Sequence, residues 1–438
     1  MSSLSDSFVI KIWEKLRRSP LFRDSVWSLA GSIVGRGLSL VAGILVARFL
    51  GREIYGEFGL IKTTLIYIEI FSTFGLGYTA TKFLADSKEK NVSRVYPICK
   101  ATLRITLFTS GFMALIVLLL AEKISILINA PQLHNTLRIT AIGIVLNAIN
   151  IAQIGILSGF GEFKTIAKNT TISGVITFIV TVILTYFWGL NGAVTALVLT
   201  YGTQCIVNNI SVRYKKRQYE QFAHSDKCLY KELLSFSFPI ALQESMYSLI
   251  NWLISFMLIK TSGYGELGLY SAAAQWGAII SFIPGILRNV TLSHLSGNAT
   301  NQKAHKRTMW AMLMVSFTST SVMFLLVFLL QKQICSFYGN TFDGLRYVLF
   351  SQTLCAIVVS TSNVYVQEFM SRGKNWEILL CKIIRDGGAL LTAYNLILLI
   401  KNRGAMILSL SLLAMNILYL IALAFIYRIH QRSQKDEN

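Results

Sequence analysis

The stretch Tyr55-Gly56-Glu57-Phe58-Gly59-Leu60 occurs a second time, with one substitution, as Tyr264-Gly265-Glu266-Leu267-Gly268-Leu269. A second pair of landmarks has nearly the same separation, because Gly192-Ala193 matches Gly404-Ala405. A block that recurs about half a chain apart indicates an internal repeat. The chain is therefore predicted to consist of two related halves.

The composition indicates that these halves fold in a lipid bilayer. Of the 438 residues, 53% are hydrophobic and only 14% are charged, yet the net charge is +20. A soluble domain is usually about 25% charged, so most soluble classes are excluded, and no nucleic-acid partner is expected. Segments of about 20 mostly apolar residues can cross a bilayer. Twelve such spans are predicted: 25–49, 58–83, 101–122, 137–158, 169–187, 193–212, 233–258, 268–291, 309–331, 344–367, 378–400 and 405–427.

The predicted fold class is an all-α polytopic membrane protein with twelve transmembrane helices in two six-helix lobes. Helices satisfy all backbone groups in lipid, and the alternation typical of a membrane β-barrel is absent from the sequence. The expected division is an N-terminal segment (1–24), a first lobe (25–212), a linker (213–232), a second lobe (233–427) and a tail (428–438). With six spans in each half, both halves enter from the same side, and a substrate is expected between them.

The distribution of cations predicts the orientation. Lys and Arg concentrate in the N-terminal segment and in alternate gaps, such as 88–104 and 213–231. Because such residues mark cytoplasmic loops, both termini are expected in the cytoplasm. The apolar stretch that begins at Ser25 is too long for a signal peptide and is expected to remain as the first span.

Ionisable residues inside the spans are the main candidates for function, because they are costly in lipid. We expect Arg36, Arg48 and Lys62 to present positive charge to an anionic headgroup. Glu69 and Glu244 are candidates to exchange a coupling proton or sodium ion. The alternative is internal neutralisation, for example of Glu69 by Arg36 or Lys62, without contact to a substrate.

Polar amides and helix-breaking residues supply a second set of candidates. Asn147, Asn150 and Gln153 in span 4 suit sugar binding, although interhelical hydrogen bonds would equally explain them. The runs Phe74-Gly75-Leu76-Gly77 and Ile283-Pro284-Gly285-Ile286 occupy matching positions in spans 2 and 8. Paired interruptions point to a moving region, so hinges are expected at Gly75, Gly77, Pro284 and Gly285, unless the glycines only allow close packing.

No catalytic residue, metal site or cofactor is expected. The six cysteines form no CxxC motif, which is unfavourable for zinc or a disulfide framework. The GxGxxG sequence at 263–268 lies in a short loop between spans rather than after a strand. No Walker A motif occurs, which disfavours an ATP-driven pump.

Several stretches resemble a known family. The run from Leu29-Ala30-Gly31 through Gly51, the block Tyr55–Gly59 and the turn Gly159–Lys164 after span 4 resemble polysaccharide-synthesis transporters. These are the Wzx-type flippases of the multidrug/oligosaccharidyl-lipid/polysaccharide exporter superfamily, which have a MATE-like fold. The motifs consist largely of glycine, phenylalanine and small residues, so they identify a family better than a substrate.

The resemblance implies a bacterial inner-membrane protein rather than an enzyme. It implies that the protein translocates an undecaprenyl-diphosphate-linked oligosaccharide from the cytoplasmic to the outer leaflet for O-antigen, capsule or exopolysaccharide assembly. It further implies alternating access around a cationic cavity without nucleotide hydrolysis. A coupling proton or sodium ion and a polysaccharide polymerase are candidate partners.

Three other functions remain open. A peptidoglycan-precursor flippase of the same superfamily would commonly have two additional helices. An ion-coupled multidrug exporter would carry cationic cargo, whereas the excess of intramembrane cations favours an anionic one. A membrane glycan polymerase would be expected to have a long external loop, and every predicted external gap is short.

Overall fold

The computed structural model describes residues 20–127, 131–222, 228–282, 284–285, 302–371, 375–400 and 403–436, and this part of the chain contains no strand. Short 3-10 turns join some of its α-helices. The helices are α1 (Pro20–Thr73), α2 (Leu76–Lys90), α3 (Val95–Leu127), α4 (His134–Gly159), α5 (Phe163–Arg217), α6 (Leu229–Ser262), α7 (Tyr264–Ile280), α8 (Gln302–Leu329), α9 (Gln331–Tyr338), α10 (Leu345–Ser371), α11 (Asn375–Ile400) and α12 (Gly404–Asp436). Most of the predicted N-terminal segment and the predicted end of span 8, residues 286–291, lie outside the described residues.

Helix α5 contains two predicted spans, and α1 contains the first span and the beginning of the second. The backbone of α1 leaves the helical region at Gly51 (φ 72°, ψ 171°), and that of α5 does so at Gly189 (φ 54°, ψ −131°). Glycine tolerates such positive φ values because it has no Cβ atom. Eight stretches of the described residues are long and apolar enough to cross a membrane, and two of them contain these breaks. Together with α6 and α7, they match the twelve predicted spans and confirm the all-α class.

The described residues form two compact units. One contains the described residues of Met1–Val46 together with Ile61–Trp252, and the other contains Ala47–Leu60 together with those of Leu253–Asn438. Spans 1, 2 and 7 therefore each contribute residues to both units. The division into lobes at 25–212 and 233–427 follows the sequence repeat and stays a prediction.

The first unit depends on close helix packing. Its apolar core includes Leu76 and Leu84 of α2, Ile98 of α3 and Ile156 of α4. A Cβ atom on Gly155 would lie 2.2 Å from the carbonyl oxygen of Gly77, so the backbones of α4 and α2 are in direct contact. Small residues allow such approaches between membrane helices. Gly77 therefore serves helix packing in this structure.

The second unit is built around the repeated sequence. A Cβ atom on Gly56 would lie 1.9 Å from the carbonyl oxygen of Tyr264, and one on Gly268 would lie 2.2 Å from that of Arg52. The two copies of the motif thus cross each other at their glycines. Tyr55 is buried, and its hydroxyl oxygen accepts a hydrogen bond from Gln275 Nε2 at 2.8 Å. Residues 47–60 are therefore an integral part of this unit.

Candidate functional site

Lys62 and Glu69 lie on one face of α1 in the first unit, two helical turns and about 10 Å apart along the axis. Lys62 is exposed, whereas Glu69 is only 5% exposed. Among the described residues, no carboxylate lies within 4.0 Å of the Lys62 ammonium group. A cation within an apolar span is tolerated where it meets water or an anionic group.

Glu69 is enclosed by neighbouring helices. Its Oε2 atom accepts a hydrogen bond from Asn147 Nδ2 of α4 at 2.7 Å. Its Oε1 atom is buried and has no hydrogen-bond partner within the part of the chain that the structure describes. Lys62 and Tyr201 of α5 are close enough to interact with this carboxyl group electrostatically. The structure therefore brings together Glu69 and Asn147, with Lys62 near them.

The other two amides predicted for sugar binding connect α4 to α5. Asn150 Nδ2 donates to Gln204 Oε1 at 2.9 Å, and Asn208 Nδ2 donates to Asn150 Oδ1 at 2.8 Å. Asn169 Nδ2 extends the chain of amides by donating to Asn208 Oδ1 at 2.8 Å. Gln153 is also buried, and its Nε2 atom donates to a sulfur atom of α5 at 3.8 Å. These contacts hold two helices together inside the first unit.

The remaining charged candidates are Arg36, Arg48 and Glu244, and each is described within its own unit. Arg36 is exposed on α1 in the first unit, one turn from Ser39, whose hydroxyl group donates to a backbone carbonyl. Arg48 is also exposed, but it belongs to the segment 47–60 of the second unit. Glu244 of α6 is half-buried and forms no ion pair with any described residue.

The helix carrying the second span of each half is interrupted near the predicted hinges. Helix α1 ends at Thr73, and positive φ values at Phe74 (49°) and Gly75 (68°) separate it from α2. A Cβ atom on Gly75 would lie 3.1 Å from the side chain of Ile240, so this break packs against α6. In the second half, α7 ends at Ile280, four residues before the predicted hinge residues Pro284 and Gly285.

Some contacts could not have been predicted from the sequence. Trp252 Nε1 donates to Thr64 Oγ1 at 3.2 Å, and the Trp252 ring stacks on Tyr67 with centroids 5.9 Å apart. The threonine and tyrosine are three residues apart, which places them on one helix face, but only the fold identifies their partner.

Solved structures of transporters share this fold. The chain resembles an inward-facing structure of a multidrug resistance MATE family transporter of the MOP superfamily, with 15% identity, a TM-score of 0.80, and coverage of 94% of this chain and 99% of the other. A MOP superfamily transporter from Pyrococcus furiosus matches with 15% identity and a TM-score of 0.66 over 96% and 98% of the two chains. These similarities confirm the MATE-like transporter fold.

Residues 21–292 match the family described as polysaccharide biosynthesis protein, and the chain belongs to that family. It is 24% identical over 371 residues to the EPS I polysaccharide export inner membrane protein EpsE of Ralstonia nicotianae, covering 80% of this chain and 81% of that one. It is also 23% identical over 274 residues to an uncharacterized membrane protein of Methanocaldococcus jannaschii, covering 60% and 63% of the two chains. The resemblance to polysaccharide-synthesis transporters is confirmed.

Proposed function

We propose that the protein is a flippase that moves an undecaprenyl-diphosphate-linked oligosaccharide from the cytoplasmic to the outer leaflet of the bacterial inner membrane. The product would serve O-antigen, capsule or exopolysaccharide assembly. Membership of the polysaccharide biosynthesis family supports this proposal, as does the similarity to a relative named for polysaccharide export.

The observation that carries the proposal is that Lys62 is exposed and has no carboxylate partner among the described residues. A lipid-linked diphosphate brings negative charge into the membrane, and a cation stabilises it through charge-assisted hydrogen bonds. Lys62 is exposed, lies within the second span and has no carboxylate partner within 4.0 Å of its ammonium group among the described residues. Arg36, also exposed in the first unit, adds a bidentate donor for phosphate. Lys62 and Arg36 therefore suit an anionic substrate better than a cationic drug.

Transport in this proposal proceeds by alternating access without nucleotide hydrolysis. The break at Phe74 and Gly75, together with the end of α7 before Pro284, supports bending of spans 2 and 8 at these points. The bias of Lys and Arg toward alternate gaps supports cytoplasmic termini. Arg48 is an additional candidate for substrate binding, and Glu244 is one for ion coupling. A polysaccharide polymerase is expected to use the flipped product.

The experiment is leaflet-resolved detection of the lipid-linked oligosaccharide in cells depleted of the protein, with an impermeant probe that labels only the outer leaflet. Accumulation of unlabelled intermediate, reversed by the wild-type protein, is the expected result. Labelled intermediate that remains unpolymerised in the outer leaflet would contradict translocation and favour a membrane polymerase instead.

A further inference from the structure

Helix α3 exposes an apolar stripe that ends in two basic residues at one end of the first unit. Leu107, Phe108 and Phe112 are large apolar residues on the exposed face of this helix, and Phe108 is 78% exposed. Arg104 and Lys100 precede Phe108 by one and two helical turns, and both are exposed. Because the predicted third span begins at residue 101, these two cations lie at the level where the apolar part of the bilayer ends.

Helix α6 continues this surface. Tyr230, Leu234 and Phe238 are exposed and follow one another at intervals of four residues, so they share one helix face. The Tyr230 hydroxyl oxygen accepts a hydrogen bond from Arg104 Nη1 at 3.4 Å, which places the basic end of the α3 stripe beside the first turn of α6. Lys231 is the next residue and is also exposed. The exposed faces of the two helices therefore meet at three cations, which are Lys100, Arg104 and Lys231.

The carboxylates near these cations have other partners. Glu232 forms an ion pair with Arg94. Glu220 accepts a hydrogen bond from the Tyr96 hydroxyl group at 2.8 Å. Within the described ranges, no carboxylate lies within 4.0 Å of the cationic groups of the three cations. The anion that balances them is therefore not a described side chain, and at the edge of a bilayer a lipid headgroup can supply it.

We propose that the three cations and the two apolar stripes form a binding site for a phospholipid with an anionic headgroup. The cations contact the phosphate group, and the acyl chains lie along Phe108 of α3 and Phe238 of α6. Basic residues between membrane helices are the kind of site that recognises anionic lipids. The bound lipid links α3 to α6 and stabilises the folded protein, because it binds the folded state and not the unfolded one. This inference does not depend on the proposed function, since such a lipid would bind whatever the cargo is.

The test uses the purified full-length protein in a nonionic detergent, to which phosphatidylglycerol or phosphatidylcholine is added. Native mass spectrometry counts the lipid molecules that stay bound, and thermal unfolding measures the stabilisation. We expect the wild type to retain one phosphatidylglycerol molecule under conditions that remove phosphatidylcholine, and to be stabilised more by the anionic lipid. The preference should weaken at high ionic strength, because salt screens exposed charges.

Replacement of two of the cations should remove the preference. A single cation near a membrane surface contributes about fivefold to the binding of an anionic lipid. The double variant Lys100→Gln/Arg104→Gln should therefore bind phosphatidylglycerol about 25-fold more weakly than the wild type. The double variant Lys90→Gln/Arg217→Gln is the matched control. It removes the same charge from the exposed last residues of α2 and α5 and should bind the lipid like the wild type.

Several outcomes would overturn the lipid site. One is equal binding of phosphatidylglycerol by the wild type and the Lys100→Gln/Arg104→Gln variant. Another is an equal loss in the control, which would indicate a general effect of surface charge. A wild type that binds phosphatidylcholine equally well is a third. Displacement of phosphatidylglycerol by a tighter-binding short-chain prenyl diphosphate would assign the surface to a prenyl-linked substrate instead. If the double variant fails to fold, Lys100→Gln alone, with an expected loss of about fivefold, still decides the matter.

Discussion

The backbone nitrogen of Gly56 would lie 3.3 Å from a Cβ atom placed on Gly268, so the two residues mark a crossing of α1 and α7 at which no side chain fits between the backbones. Gly56 and Gly268 come from the two copies of the repeated motif. The two copies of the repeat are thus in direct contact within the second unit.

The first prediction concerns this crossing. Gly56→Ala places a methyl group against the carbonyl oxygen of Tyr264, which is backbone and cannot rotate away. Overpacking of this kind costs about 1–3 kcal/mol, so the apparent melting temperature in detergent should fall by several degrees. Gly111→Ala is the control, because its added methyl group meets no described atom within 4 Å. An unchanged melting temperature in Gly56→Ala would refute the close contact.

The second prediction concerns Lys62. Lys62→Gln removes the positive charge of an exposed residue but keeps a polar side chain. Translocation should fall at least about tenfold, because a charge-assisted interaction of about 1.4 kcal/mol or more is lost. The measurement is the outer-leaflet label in depleted cells that express each variant at equal level. Lys332→Gln, which alters an exposed lysine of α9, should support normal export. Normal export by Lys62→Gln would remove Lys62 from the substrate site.

The third prediction concerns the amide chain. Asn208→Ala leaves Asn150 Oδ1 without its donor and removes one of the two acceptors of Asn169 Nδ2, which keeps Ser211 Oγ. Unpaired buried polar groups cost about 1–3 kcal/mol, so the variant should unfold at lower temperature while export per folded molecule stays near the wild-type level. Asn395→Ala, on the exposed face of α11, should have little effect. A strong loss of export in a stable Asn208→Ala protein would instead favour a role of these amides in sugar binding.

The fourth prediction is a dependence of stability on pH at the turn between α4 and α5. Lys215 Nζ lies 2.5 Å from Glu162 Oε1, and the Thr165 hydroxyl group donates to Oε2 at 2.7 Å. The ammonium group and the hydroxyl group hold the pKa of Glu162 below its usual value. The carboxylate therefore stabilises the folded state above the unfolded pKa of about 4.3, and this contribution disappears as the pH falls through the lower folded value.

Because Glu162 and Lys215 are partly exposed, the contribution should be at most about 1 kcal/mol. The difference in melting temperature between the wild type and Glu162→Gln is the quantity to measure. It should be largest near neutral pH and vanish in acid. A difference that persists unchanged below about pH 3 would contradict the assignment to this ion pair.

The fifth prediction concerns the break in span 2. Gly75 has a φ of 68° and is crowded by Ile240, so Gly75→Ala combines backbone strain with a close contact. The left-handed region costs a non-glycine residue about 1–2 kcal/mol. We expect lower stability and impaired transport. Gly285→Ala, whose methyl group would enter open space among the described residues, should keep the stability of the wild type, so that any transport defect there reports on motion alone.

The membrane helices were predictable because hydropathy and length dominate their formation. Spans 5 and 6 were predicted at 169–187 and 193–212, and the structure breaks the helix between them, at Gly189. The repeat likewise predicted two related halves. It did not predict that Gly56 and Gly268 touch, because sequence similarity records correspondence and not contact. Nor did it predict that residues 47–60 pack with the second unit, since this depends on tertiary packing far along the chain.

The candidate site was predictable in its residue types and only partly in its arrangement. Helical periodicity places Lys62 and Glu69 on one face, which suggests similar surroundings for both. In the structure, Glu69 is buried and accepts a hydrogen bond from Asn147, whereas Lys62 is exposed. The difference arises because neighbouring helices pack more closely against α1 at Glu69 than at Lys62. No local pattern in α1 contains that information.

The assignment of residues 47–60 to the second unit has a practical consequence for protein engineering. Exchanging the second half of the chain with that of a relative, at the linker that separates the sequence repeats, would leave the segment 47–60 facing a foreign partner. A hybrid should therefore take residues 47–60 and 253–438 from one parent and the remainder from the other. Recombination between relatives should be tolerated at these boundaries and penalised at the boundary of the repeat.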